Sequence, residues 1–141
     1  NDVNIDETIA VANRYRGEII GVKIRACGPA LDTMGIDYIH AAIKAARESG
    51  VRVMVHIGDP QWNVDPTITA RLLPLLQADD LITHLYTGAP GKVLDGNRNV
   101  LPELLDARAR GVGFDPAHGR FNMSFEVAKR MMEQGIQHRY H

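Results

Sequence analysis

Lys23, His56 and His84 each lie in a short apolar segment, at separations of 33 and 28 residues, and a fourth such segment ends at Asp115, 31 residues after His84. One strand with its returning helix takes roughly 30 residues. Polar groups at the carboxyl ends of successive parallel strands meet on one face of a barrel. We therefore expect Lys23, His56 and His84 to converge.

These three residue types could hold a metal ion. Neutral imidazole is a common metal ligand and suits zinc. A lone histidine at a strand end is ordinarily structural, but two at equivalent positions favour ligation. Lys23 either reaches water or pairs with a carboxylate, or its amine has a pKa lowered by burial and is available for covalent chemistry. We expect it to be buried, with its amine facing the same cavity as His56 and His84.

The segment that follows the fourth strand carries two further candidates. Asp115 and His118 could stabilise a turn, or one of them could act as a general base or as a partner that orients a ligand. We expect no role in the site for the other polar candidates, which are Asp59 in a loop, His40 on a helix surface, and His138 and His141 in a polar tail.

Composition limits the classes of function. A chain of 141 residues is long enough for one domain, expected over residues 1–141, and its net charge of −1 favours neither nucleic acid nor an anionic membrane as partner. We expect a small-molecule substrate instead. The single cysteine, Cys27, excludes an internal disulfide and fits the cytoplasm. The sequence has no apolar run of membrane-spanning length and no visible signal peptide.

Helical and strand-like patterns alternate along the whole chain. Strands are expected at 18–25, 51–57, 80–86 and 112–115, and helices at 4–15, 36–49, 66–74, 100–110 and 125–134, with loops at 27–35 and 88–99. Such alternation indicates an α/β fold with about four parallel strands. Two architectures remain open at this point: a complete doubly wound sheet that binds a small molecule, or about half of a (β/α)₈ TIM-type barrel, which needs about 250 residues.

Four motifs together resemble the metal-dependent amidohydrolase superfamily, and within it the dihydroorotase-like deacetylase branch. They are Gly-Val-Lys-Ile-Arg at 21–25, Met-Val-His-Ile-Gly at 54–58, Thr-His-Leu-Tyr-Thr-Gly at 83–88 and Phe-Asp-Pro-Ala-His-Gly at 114–119. Residues 93–96, 100–103 and 110–112 resemble that branch as well. The similarity covers about residues 17 to 135, and it implies a partial barrel that corresponds roughly to strands four to seven.

The resemblance implies a metal centre, usually with two zinc ions. Lys23 would be carboxylated on its amine and bridge the two metals, and His56 and His84 would bind one of them. A metal-activated hydroxide would attack the carbonyl carbon of an amide, a cyclic amide or an ester. The resemblance assigns Asp115 no metal, because it ends the seventh strand rather than the eighth, and His118 stays a candidate catalytic residue.

The chain departs from this family pattern in two places. It has no His-x-His pair before Lys23, and no aspartate ends an eighth strand. Two hypotheses follow: a hydrolase of which this chain carries only part of the site, with weak zinc binding, or a catalytically inactive half-barrel that self-associates as a structural module. The open half-barrel also predicts a homo-oligomer, with largely apolar residues on its interior face.

Overall fold

The computed structural model describes residues 4–61 and 63–136. Helices and strands alternate along this part of the chain. In order, the elements are α1 Ile5–Arg14, β1 Gly21–Arg25, α2 Pro29–Met34, α3 Ile36–Ser49, β2 Arg52–His56, α4 Ile68–Leu72 with a 3-10 turn at Leu73–Leu75, β3 Leu81–Thr83, α5 Pro102–Ala109, β4 Gly113–Asp115 and α6 Phe125–Glu133.

The four strands form one parallel sheet in the order β1-β2-β3-β4. Each strand pairs with the next strand in sequence, so the chain moves across the sheet in one direction. A doubly wound sheet reverses that direction at a switch point, and these four strands have no reversal. The order is that of a barrel segment, which confirms the expected α/β fold of four parallel strands alternating with helices.

The two faces of the sheet have opposite character. Side chains alternate along a strand, and the residues on one face are buried in a single apolar core with the helices: Ile24, Val53, Val55, Ile82 and Phe114. The opposite face carries Lys23, Arg25 and Arg52, all of which are exposed. The prediction of a largely apolar interior face is thus correct for Met54 and Leu81, which share this face by register, and wrong for the cationic positions. The buried apolar side chains of the strands point toward the helices, and cationic side chains occupy much of the opposite face.

Helix positions follow the sequence signals only in part, because α4 begins at Ile68 without a side-chain cap and not at residue 66 as expected. Ser124 caps α6 by accepting a hydrogen bond from the Val127 N–H at 3.4 Å. The expected loop at 27–35 instead contains α2, the six-residue helix Pro29–Met34. Proline stands at its first position, where its fixed φ suits a helix and its missing N–H is not needed.

A buried ion pair fixes the sheet at the amino end of its strands. The Asp80 carboxylate accepts hydrogen bonds from the Arg47 guanidinium at 2.9 Å, the Val53 N–H at 2.9 Å and the Gln77 N–H at 2.8 Å. Burial alone would raise the pKa of Asp80, but the Arg47 guanidinium and the two backbone donors outweigh it and hold that pKa below its ordinary value. Asp80 thus ties the start of β3 to β2 and α3.

No helix in the described part of the chain is long and apolar enough to cross a membrane. His138 and His141 lie outside the described residues, as do both ends of the expected domain.

Self-association is expected from the edges of the sheet. In the described residues β1 and β4 each pair on one side only, and unpaired strand edges bind other strands. We expect light scattering at micromolar concentration to give a mass of at least twice 15.6 kDa. Ile20→Lys, next to the β1 edge and 80% exposed, should weaken the association, whereas Met132→Lys, 55% exposed on α6, should not. A monomeric wild-type chain would contradict the prediction.

Candidate metal centre

The polar residues that end the strands lie together at the carboxyl end of the sheet. The strand register places Arg25 beside His56, His56 beside Thr83, and Thr83 beside Asp115. His84 follows Thr83 directly. The sequence predicts that functional side chains meet here, at the carboxyl ends of the parallel strands.

The two histidine rings are in contact. The ring centroids of His56 and His84 are 4.3 Å apart, and the ring planes cross at 74°. His84 has a left-handed backbone with φ of 69°, and its Nδ1 donates a hydrogen bond to the Ala117 carbonyl at 2.9 Å. A carbonyl oxygen only accepts, so Nδ1 carries a proton and Nε2 is the ring nitrogen that could bind a metal. This is how a metal-binding histidine is ordinarily oriented.

His56 presents a buried nitrogen that has no hydrogen-bond partner. Its Nε2 makes no hydrogen bond within residues 4–61 and 63–136. Burial lowers the pKa of His56 to about 4, with further lowering by the nearby His84, Arg25 and Lys23, against a small opposing effect of the Gly58 backbone. The ring is therefore neutral at pH 7, which is the form that binds metal.

Lys23 lies on the same face of the sheet as His56 but nearer the amino ends of the strands. It pairs in register with Met54, two residues before His56, which is roughly 7 Å along the strand. The structure corrects the expectation that Lys23 is buried: its side chain is exposed, because no described element covers this face. Its four-carbon stem allows the amine to reach toward the strand ends, and its charge contributes to the lowered pKa of His56.

These residues fit a zinc site that is incomplete. In the part of the chain that the structure describes, no three side chains of the types His, Cys, Asp and Glu come together to hold a metal. The paired imidazoles still offer an unpartnered Nε2 at His56 and the Nε2 of His84, and imidazole nitrogens suit zinc. A third ligand from these residues would have to be Lys23, whose carboxylated form provides anionic oxygens.

Asp115 holds the loop that orients His84. Its carboxylate accepts a hydrogen bond from the Thr83 hydroxyl at 2.7 Å and another from the Ala117 N–H at 3.1 Å. Ala117 is the residue whose carbonyl binds His84. Asp115 therefore stabilises a turn and, through that turn, fixes the ring of His84.

His118 lies at the rim of this arrangement. Its side chain is exposed, and its ring stacks on Tyr86 with centroids 5.8 Å apart and an angle of 22°. In the described residues it makes no hydrogen bond to His56 or His84. The structure thus places His118 next to the Ala117 turn and not in the histidine pair.

Two other candidates have structural positions, as the sequence suggests. Asp59 is fully buried in the loop after β2, where its carboxylate accepts hydrogen bonds from the backbone N–H groups of Gln61, Asn63 and Val64. His40 is exposed on α3. Sequence reasoning missed Arg25, although its position two residues after Lys23 already placed it on the same face of β1.

Curated proteins similar to this chain carry the name deacetylase. A deacetylase of Brucella anthropi is 25% identical over 135 residues, and one of Agrobacterium fabrum is 24% identical over 135 residues. Each alignment covers 96% of this chain and 32% of the relative. A third, from Enterococcus faecalis, is 27% identical over 120 residues, 84% of this chain and 31% of the relative. The chain therefore spans about a third of the length of the curated relatives that it matches.

Solved structures show the same likeness. A crystal structure of an adenine deaminase superposes with a TM-score of 0.83 at 24% identity, covering 96% of this chain and 36% of that one. A crystal structure of a dihydroorotase gives a TM-score of 0.79 at 25% identity, covering 97% and 34%. No protein-family model matches the sequence. In sequence and in fold, the chain resembles part of the deacetylase, adenine deaminase and dihydroorotase enzymes of the amidohydrolase superfamily, as its motifs predicted.

Proposed function

We propose that this chain carries part of the active site of a metal-dependent hydrolase that cleaves C–N bonds of amides or cyclic amides, or ester bonds, in small molecules. The observation that carries the proposal is the contact between two histidines at the strand ends. His56 is neutral and its buried Nε2 has no partner in the described residues, and His84 is oriented through Nδ1. The names of the relatives, deacetylase, adenine deaminase and dihydroorotase, support hydrolytic chemistry.

Each residue of the centre has a proposed role. His56 and His84 would hold zinc through Nε2, and Lys23, carboxylated on its amine, would bridge to a second divalent metal. When bound, the metal supplies Lewis acidity toward water and toward the scissile carbonyl. Asp115 fixes the turn that orients His84. His118 remains the proposed catalytic residue at the rim, where an exposed imidazole could exchange a proton with the substrate.

The setting of the proposed reaction follows from composition. A net charge of −1 gives no reason to expect nucleic acid or an anionic membrane as partner. Cys27 is a free, buried thiol, which is compatible with a reducing compartment, and we place the protein in the cytoplasm on that ground.

A second candidate function is a catalytically inactive half-barrel that self-associates. It is favoured by the lack of a third His, Cys, Asp or Glu ligand among the described residues and by the two unpaired sheet edges. In that case His56 and His84 would be structural, and zinc would neither bind in stoichiometric amount nor support turnover.

Hydrolysis in the presence of zinc and bicarbonate tests the proposal. We expect release of acetate from acetylated small molecules by the wild-type chain and loss of at least about 100-fold in rate for His84→Ala, since a metal ligand is lost. His40→Ala removes an exposed histidine from α3 and should keep the wild-type rate. Absence of both stoichiometric zinc and turnover would favour the inactive module, and equal rates in the two variants would contradict the proposed role of His84.

A further inference from the structure

Arg25 ends β1 beside the histidine pair. It pairs in register with His56 and belongs to the face of the sheet that the described helices leave open, and its side chain is exposed. Its one side-chain hydrogen bond within the described residues runs from Nη2 to the Cys27 sulfur at 3.7 Å. Sulfur is a weak acceptor, so most of the five N–H donors of the guanidinium have no partner among the residues that the structure describes.

Other arginines of the chain show what a structural role looks like. Arg47 binds the Asp80 carboxylate, and Arg110 donates to the Leu73 carbonyl at 2.8 Å and to the Leu76 carbonyl at 3.4 Å. In residues 4–61 and 63–136, by contrast, no carboxylate lies within ion-pair distance of Arg25. The guanidinium of Arg25, with most of its donors unused within the described residues, therefore lies at the carboxyl ends of the strands, where the proposed reaction takes place.

We propose that Arg25 binds a carboxylate of the substrate, one that lies close to the bond cleaved at His56 and His84. The location of that bond rests on the proposed function, but the contact between guanidinium and carboxylate needs no metal. The two parallel N–H groups of arginine match the two oxygens of a carboxylate. A phosphate dianion would need a second cation, and the neighbouring candidate, Lys23, is committed to the metal in the proposed function.

Binding of a matched pair of acetyl compounds tests this assignment. We expect the zinc-free chain, titrated in NMR experiments that follow the Arg25 Nε–H signal, to bind N-acetylglycine at least about tenfold more tightly than N-acetylglycinamide, since hydrogen bonds to charged groups contribute this much or more. Arg25→Gln should abolish the difference. Arg25→Lys should restore only part of it, because lysine keeps the charge and loses the planar fork.

Arg52→Gln is the matched control. Arg52 lies on the same face of the sheet and is equally exposed, but it begins β2 at the opposite end of the strands. Its loss changes the net charge as Arg25→Gln does and should leave the preference for the acid intact. Equal binding of acid and amide by the wild-type chain, or equal effects of the two substitutions, would overturn the assignment. These outcomes do not depend on zinc, so a failure of the hydrolase proposal is seen separately.

Discussion

Replacing His56 with alanine should lower the affinity of the chain for zinc by more than roughly 100-fold. Loss of a residue that merely orients a ligand costs about 10- to 100-fold, and His56 is proposed to be a ligand itself. The buried Nε2 of His56 has no other partner in the described residues, and its ring touches that of His84. Competition with a chromophoric chelator measures the change.

The control for this substitution is His40→Ala. His40 is exposed on α3 and lies outside the histidine pair, so its loss should leave the zinc affinity unchanged. If His56→Ala and wild type take up the same amount of zinc after dialysis, His56 is not a ligand and the metal-centre proposal fails with it.

Asp80→Asn should lower the free energy of unfolding by about 3 kcal/mol. Breaking a buried ion pair from one side leaves an uncompensated charge and costs about 3–5 kcal/mol, and Arg47 is 28% exposed, which favours the lower end. Urea unfolding measures the loss. The control is Asp65→Asn. Asp65 forms an exposed ion pair with Arg71 at 3.3 Å, and the loss of that pair should lower the free energy of unfolding by less than about 1 kcal/mol. Equal losses in the two variants would contradict the structural role of Asp80.

The contribution of Asp80 should also depend on pH. Its pKa is lowered in the folded state, so folding favours the ionised carboxylate. The stabilisation is present in full above the unfolded-state pKa of about 3.9 and is lost as the pH falls through the folded-state value. The difference in stability between wild type and Asp80→Asn should therefore shrink below about pH 4, and a difference that stays constant there would argue against an ionised Asp80.

The sequence predicts the positions of the two histidines because parallel strands impose a simple rule. His56 ends β2 and His84 directly follows β3. The carboxyl ends of neighbouring parallel strands lie side by side, so the two rings are in contact. The alternation of helices and strands likewise predicts the four-stranded sheet. The choice between barrel and doubly wound sheet had to come from strand order, which periodicity does not contain.

Features that depend on strand register were not predictable. The hydrogen bond between Thr83 and Asp115 joins residues on two strands, and it becomes visible only when their pairing is known. The sequence predicts a buried Lys23, but burial depends on what covers the face, and no described element does so. Arg25 was missed because an exposed arginine at a strand end is ordinary until the register places it beside His56.

Anomalous diffraction at the zinc edge, from crystals grown with zinc and bicarbonate, shows whether His56 and His84 together bind zinc. We expect a zinc peak at about 2.1 Å from Nε2 of both His56 and His84, with the Lys23 amine turned toward it. A chain that crystallises with zinc at other residues, or with no zinc between these two rings, would contradict this expectation.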